Sequence, residues 1–120
     1  MQMTKPLSPA MHGAMDYATV MGTAVAPRLL NLPTRAAGAA YGVAAGILGL
    51  AAFTDFKPAL KRKVPLKTHE MADTVMGLVL PAMPWMMGFA KNKKARNFFL
   101  ILTGMLALNT ALTNWSAKKA

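Results

Sequence analysis

Apolar and charged residues do not mix along this chain; they come in separate blocks. Leu29 to Leu32 and Ala36 to Thr54 are interrupted only by Pro33, Thr34 and Arg35, and the second block carries no charge across nineteen residues. At 1.5 Å rise per residue that block makes a helix of roughly 28 Å, about the thickness of a bilayer's hydrocarbon core. Length and polarity together predict four spanning helices: His12 to Asn31, Ala36 to Thr54, His69 to Phe89 and Asn97 to Asn114. The connections inside each pair are short, including the basic turn Lys91 to Arg96, so each pair is an antiparallel hairpin. The linker Asp55 to Thr68, with Pro58 and Pro65, separates the pairs. The expected fold is all-α: a four-helix transmembrane bundle forming one integral membrane domain over residues 1–120.

The two halves repeat. His12-Gly-Ala-Met-Asp16 aligns with His69-Glu-Met-Ala-Asp73 at an offset of 57, and the same offset carries Pro27 onto Pro84. Thr54-Asp55-Phe56 then matches Thr113-Asn114-Trp115 at an offset of 59, which implies a small indel. We therefore expect two tandem two-helix repeats, at about 8–56 and 65–115, related by an approximate axis along the membrane normal.

The residues His69-x-x-x-Asp73 followed by Pro84-Trp85-Met-Met-Gly88-Phe89 resemble the SPW repeat family of small bacterial membrane proteins. Only the second copy keeps Trp and Gly-Phe. Met83 stands in place of the family's serine, and the first copy has Ala26-Pro27-Arg28 and Asn31-Leu32 instead. The resemblance implies a bacterial membrane location; it brings no activity or catalytic residues.

The net charge of +10 would make nucleic acid the first partner of a soluble protein, but position argues against it. Lys57, Lys61, Arg62, Lys63 and Lys67 fill one linker, and Lys91, Lys93, Lys94 and Arg96 fill one turn. Basic clusters flanking apolar segments suit anionic lipid headgroups, at about 1 kcal/mol per Lys or Arg near the surface. The expected partners are therefore the bilayer and its anionic headgroups, with no nucleic acid. One side of the spans carries eight Lys and Arg and the other six, which orients both termini inside, in a bacterial cytoplasmic membrane. The N-terminus imitates a secretory signal, but His12 and Asp16 interrupt its apolar run, so it reads as a retained first helix. Without cysteine there is no disulfide, thiolate ligand or thiol nucleophile.

Small residues recur every fourth position: Ala14, Ala18, Gly22 and Ala26 in the first helix, Gly38, Gly42 and Gly46 in the second. These ridges are expected to form the seam between those helices. Pro81 and Pro84 should kink the third helix. Trp85, Phe89 and Trp115 are expected at the headgroup level as anchors. Eleven methionines offer an adaptable surface to other chains or to lipid, which points to a homo-oligomer or a membrane-protein partner.

One polar constellation remains. In the expected topology all four acidic residues, Asp16, Asp55, Glu70 and Asp73, fall on one membrane face with His12, His69 and Asn114. His and Asp four residues apart share a helix face, so His12/Asp16 and His69/Asp73 are two pairs that symmetry brings together. The structural reading is a polar cluster of His12, Asp16, Asp55, His69, Asp73 and Asn114 that fixes helix register by hydrogen bonds and caps. A metal site formed by His12, Asp16, His69 and Asp73 suits Zn, Fe or Mn. Axial ligation of a haem or chlorophyll-like pigment by His12 or His69, and proton transfer through the imidazoles, are further chemistries of these residues. There is no Gly-rich phosphate loop, nucleophile elbow or His-Glu-x-x-His motif. The leading reading is a non-enzymatic small membrane protein, an oligomer or accessory subunit of a membrane complex. The alternative is a metal- or cofactor-binding redox or proton-transfer protein, with the cofactor left open.

Overall fold

The computed structural model describes residues 5–54 and 64–115. The structure is all-helical. Helix α1 spans Pro9–Leu29 and α2 Thr34–Phe53; α3, Leu66–Val79, runs through a 3-10 turn, Leu80–Ala82, into the short α4, Met83–Met86; α5 spans Lys93–Leu112. Taken as one bent element, α3 to α4 makes the third of four helical segments. Among the described residues there is no strand, only two isolated bridges, Leu7 with Thr113 and Thr54 with Val64.

The helix ends lie one to four residues from those expected, and the reason is capping chemistry. Ser8 caps α1, its hydroxyl accepting from the Met11 amide at 3.2 Å, and Pro9 takes the first helical position, where a missing N–H costs nothing. Asn92 does the same for α5, accepting from Ala95 N at 3.0 Å, so the basic turn contributes Lys93 onward to the helix. Pro33 and Pro65, held extended, precede α2 and α3. The expected kink sits at Pro81, where the chain narrows to 3-10 geometry before the helix resumes at Met83.

Of the four expected spans, two helices, α2 and α5, are long and apolar enough to cross a membrane. The third segment falls short because its regular α-helix lasts only 14 residues before the 3-10 turn. His12 and Asp16 make the start of α1 polar.

Helix α1 packs along α2, and α3 along α5. The glycine seam is not where the spacing suggested. Gly38, Gly42 and Gly46 are exposed, and a Cβ added to any of them would meet nothing within 4 Å. The buried face of α2 is instead built from alanines with Ile47: Ala36, Ala40, Ala44 and Ala51. Ala14, Ala18 and Gly22 of α1 are likewise exposed. Four-residue spacing identifies residues that share a face; it does not say that this face turns inward. Gly42 and Gly46 edge an apolar groove between α2 and α3, and Gly22 edges a second one between α1 and α5.

One end of the bundle is closed by an apolar cluster that includes Leu32, Ala40, Leu80, Phe89 and Phe99. Phe89, expected as an interfacial anchor, is buried here with its ring 5.1 Å from that of Phe99. Trp85 is 59% exposed. The loops at this end carry two left-handed residues, Asn31 at φ 51° and Gly88 at φ 77°. Each is followed by an amide that reaches back to a proline carbonyl, Leu32 N to Pro27 O at 2.9 Å and Phe89 N to Pro84 O at 2.8 Å. Basic side chains then cross over: Arg35 Nη1 donates to Met87 O at 3.2 Å, and Lys94 Nζ to Leu30 O at 3.1 Å. Lys94, expected to meet lipid, and Arg35 therefore satisfy carbonyls just past the ends of α1 and α4, where positive charge is favoured. Gly88→Ala should cost about 1–2 kcal/mol, because an alanine in the left-handed region is strained. The added Cβ would also approach Arg35 Nη1 to 3.0 Å, a flexible neighbour that can move away. Thermal melting of the variant in detergent checks the size of that effect.

Candidate functional site

The opposite end of the bundle is polar inside. Helices α1 and α3 begin there and α2 and α5 end there, which places the first turns of one pair beside the last turns of the other. His12 and His69 are fully buried, with rings 5.1 Å apart and nearly perpendicular. Asp16 and Asp73 lie between them. His12 Nε2 is 3.3 Å from Asp16 Oδ2 and 3.0 Å from Asp73 Oδ2; His69 Nε2 is 3.2 Å and 3.1 Å from the same two oxygens. Each imidazole thus faces its own helix's carboxylate and the other's, and the four residues form a closed ring of nitrogen and oxygen.

The far side of each imidazole is fixed by a threonine from the other half. His12 Nδ1 is 2.8 Å from Thr113 Oγ1, and His69 Nδ1 is 2.7 Å from Thr54 Oγ1. Both threonines cap their helices, and each hydroxyl donates to the carbonyl four residues earlier, Thr113 to Asn109 O and Thr54 to Leu50 O. A hydroxyl has one proton. Having given it to the carbonyl, each threonine accepts from Nδ1–H, and this sets the tautomer: the proton is on Nδ1, and Nε2 faces the carboxylates. Two electrostatic states satisfy that arrangement. Either both imidazoles also carry a proton on Nε2, giving two cations against two anions, or both Nε2 lone pairs converge with the carboxylates on a cation. Four buried charges that sum to zero are tolerable in a low-dielectric interior, whereas an unpaired one is not.

Helix α5 adds polar groups that α2 lacks. Asn109 Nδ2 donates to Asp16 Oδ1 at 3.2 Å, and Thr110 Oγ1 donates to Asp73 Oδ2 at 3.2 Å. Trp115 closes the cluster: its ring centroid is 4.6 Å from that of His12 and 5.5 Å from that of His69, and its Nε1 donates to Thr110 O at 2.9 Å. Sequence reasoning placed Trp115 at the headgroups as an anchor; it is 5% exposed and covers the imidazoles.

All four residues of the expected metal set, His12, Asp16, His69 and Asp73, therefore come together. Of the wider polar cluster, Asn114 donates its amide to Leu7 O at 2.8 Å, and Asp55 lies outside the described residues. Glu70 stands apart, 3.6 Å from Lys67 in an exposed pair. Thr54, Thr113, Asn109 and Thr110 were not singled out beforehand as site residues. The match of Thr54 with Thr113 was visible, and its meaning lay in the helix-end position that faces a histidine of the other half. A haem or chlorophyll-like ring needs an open face above a ligating nitrogen. Neither histidine offers one, since each Nε2 has two carboxylate oxygens within 3.3 Å and each Nδ1 a threonine.

The threonines yield a graded prediction. Thr54→Val leaves the His69 Nδ1 proton without its acceptor in a buried place, a loss of about 1–3 kcal/mol, whereas Thr54→Ser keeps the hydroxyl and should be nearly neutral. Thr113→Val should cost less than Thr54→Val, because Asn109 O lies 3.4 Å from His12 Nδ1 and can take over the proton. Thermal melts of the three variants in one detergent give the ranking.

The chain matches no family model, no curated protein and no solved structure.

Proposed function

We propose that this chain is a non-enzymatic integral membrane protein, a four-helix bundle of two tandem repeats whose buried His and Asp residues lock the repeats together. The observation that carries this reading is the inversion of polarity. Met21, Leu29, Leu78, Met86 and Ile101 are each more than 60% exposed, while His12, His69, Thr54 and Thr113 are fully buried. Soluble proteins seldom expose so many large apolar side chains to water; lipid makes such a surface stable.

Support for duplication comes from contacts that recur at the sequence offsets. Leu7 with Thr113 and Val64 with Thr54, His12 with Thr113 and His69 with Thr54, and Lys94 with Leu30 and Arg35 with Met87 are each the same contact made from the opposite half. The resemblance to the SPW repeat family belongs with this reading and favours a bacterial cytoplasmic membrane. The Lys and Arg excess favours both termini inside.

The site supports a structural role over catalysis, because its ring nitrogens are enclosed and engaged on both sides. Self-association, or service as an accessory subunit of a membrane complex, completes the proposal. Exposed Met11, Met15, Met21 and Met86 give the outer surface an adaptable character suited to protein or lipid neighbours.

The chain has no cysteine, so single cysteines can test the topology cleanly. Washed membranes extracted with alkaline carbonate should retain the protein, and detergent should release it. An impermeant maleimide should label Lys93→Cys on intact cells and Lys5→Cys only after permeabilisation. Release by carbonate, or labelling of both positions from the same side, would overturn the reading. A lone monomer in mild detergent, with no crosslinked neighbour in native membranes, would count against the assembly role.

A further inference from the structure

We infer that His12, Asp16, His69 and Asp73 bind one divalent transition-metal ion of the zinc type, held between the two halves of the bundle. The ring of four donors has the dimensions of a first coordination shell. Its four nitrogen-to-oxygen edges measure 3.0, 3.1, 3.2 and 3.3 Å, and one donor atom from each residue lies within 4.8 Å of all the others. Edges of this length are close to those between donors bound to one zinc ion, whose bonds to imidazole and carboxylate are about 2.0–2.2 Å.

The groups behind the donors suit an ion as well as the donors do. Each imidazole holds its Nδ1 proton on a threonine, which leaves Nε2 as the ligating atom, and Asn109 holds Asp16 Oδ1 so that Oδ2 turns inward. Such orienting partners are what metal-binding histidines and carboxylates use. Two neutral imidazoles and two carboxylates neutralise a divalent ion, so the filled site carries no net charge into the interior. Imidazole with carboxylate favours zinc, with iron and manganese as competitors, over calcium or magnesium, which prefer oxygen. Four protein donors fill a tetrahedral shell and leave no place for substrate, the pattern of a structural centre. Trp115 seals it from outside.

The test uses tag-free full-length protein in detergent with Trp85→Phe, which leaves Trp115 as the one tryptophan. Elemental analysis should find close to one zinc per chain. After chelation, added Co²⁺ should be taken up at one equivalent, with visible bands of tetrahedral intensity and quenching of Trp115 fluorescence that saturates at the same point. Asp73→Asn, shown to be folded by circular dichroism, should weaken Co²⁺ uptake at least tenfold. Absence of both bound metal and Trp115 quenching at excess Zn²⁺, Co²⁺ or Mn²⁺ would overturn the inference. So would uptake of several ions per chain without Trp115 quenching, or unchanged affinity in Asp73→Asn. None of these readouts depends on the membrane topology, so failure here and failure of the proposed function are separable.

Discussion

Asp16→Ala is expected to destabilise the protein by about 3–5 kcal/mol, enough to melt it below ordinary working temperatures. The size follows from what the carboxylate holds. Its Oδ2 lies 3.3 Å from His12 Nε2 and 3.2 Å from His69 Nε2, its Oδ1 accepts from Asn109, and its side chain is 3% exposed. Alanine leaves two imidazoles sharing one carboxylate, and leaves Asn109 Nδ2 with only its 3.4 Å bond to His12 O. Breaking a buried charge set by removing one partner is costly because the remaining groups keep their desolvation penalty. Glu70→Ala is the control. Its pair with Lys67 is 3.6 Å long and exposed, and its removal should change stability by less than about 1 kcal/mol. Far-UV circular dichroism melts of both variants in one detergent separate the two outcomes.

Phe99→Ala should cost about 3–5 kcal/mol at the other end of the bundle. Phe99 is fully buried, its ring 5.1 Å from that of Phe89 and 5.7 Å from that of Phe98, in the cluster that joins α2, the 3-10 turn and α5. Truncation opens a cavity among Leu80, Phe89 and the alanines of α2, and the dispersion contacts of the lost ring go with it. Ile101, two residues on and 63% exposed, is the matched comparison. Ile101→Ala loses only surface contacts, so its melting temperature should stay near that of the parent. A Phe99→Ala protein as stable as the Ile101→Ala protein would mean that the apolar end does not hold the helices together.

Much of this architecture was written in local pattern. Apolar blocks give the helical segments and Pro81 gives the bend, but the caps at Ser8 and Asn92 start α1 and α5 earlier than apolar length suggests. The i, i+4 spacing places each His above its Asp on one face, and the offset of 57 pairs the two sets. Spacing cannot say which partner a side chain meets. That His12 reaches Asp73 as closely as Asp16, and that each imidazole is oriented by a threonine from the other half, depends on how the helix pairs dock. The same gap explains the misplaced seam: Gly38, Gly42 and Gly46 share a face, but alanines occupy the face that turns inward. Position alone makes Phe89 and Trp115 interfacial anchors, because aromatic rings near helix ends commonly are. A ring beside a buried cluster can equally act as its plug, and only the packed chain distinguishes these. Position alone assigns Lys94 to lipid for the same reason, although it satisfies a carbonyl of the opposite half, as Arg35 does.

The central claim is that the two halves are joined by charges that cross between them, and a double-mutant cycle on His12 and Asp73 measures that crossing directly. These residues are 61 positions apart and sit on different halves, with Nε2 and Oδ2 separated by 3.0 Å. Unfolding free energies of the parent, His12→Ala, Asp73→Ala and the double variant should give a coupling of roughly 1–3 kcal/mol. Additivity within about 0.5 kcal/mol would contradict the account, because residues that add independently do not share a site.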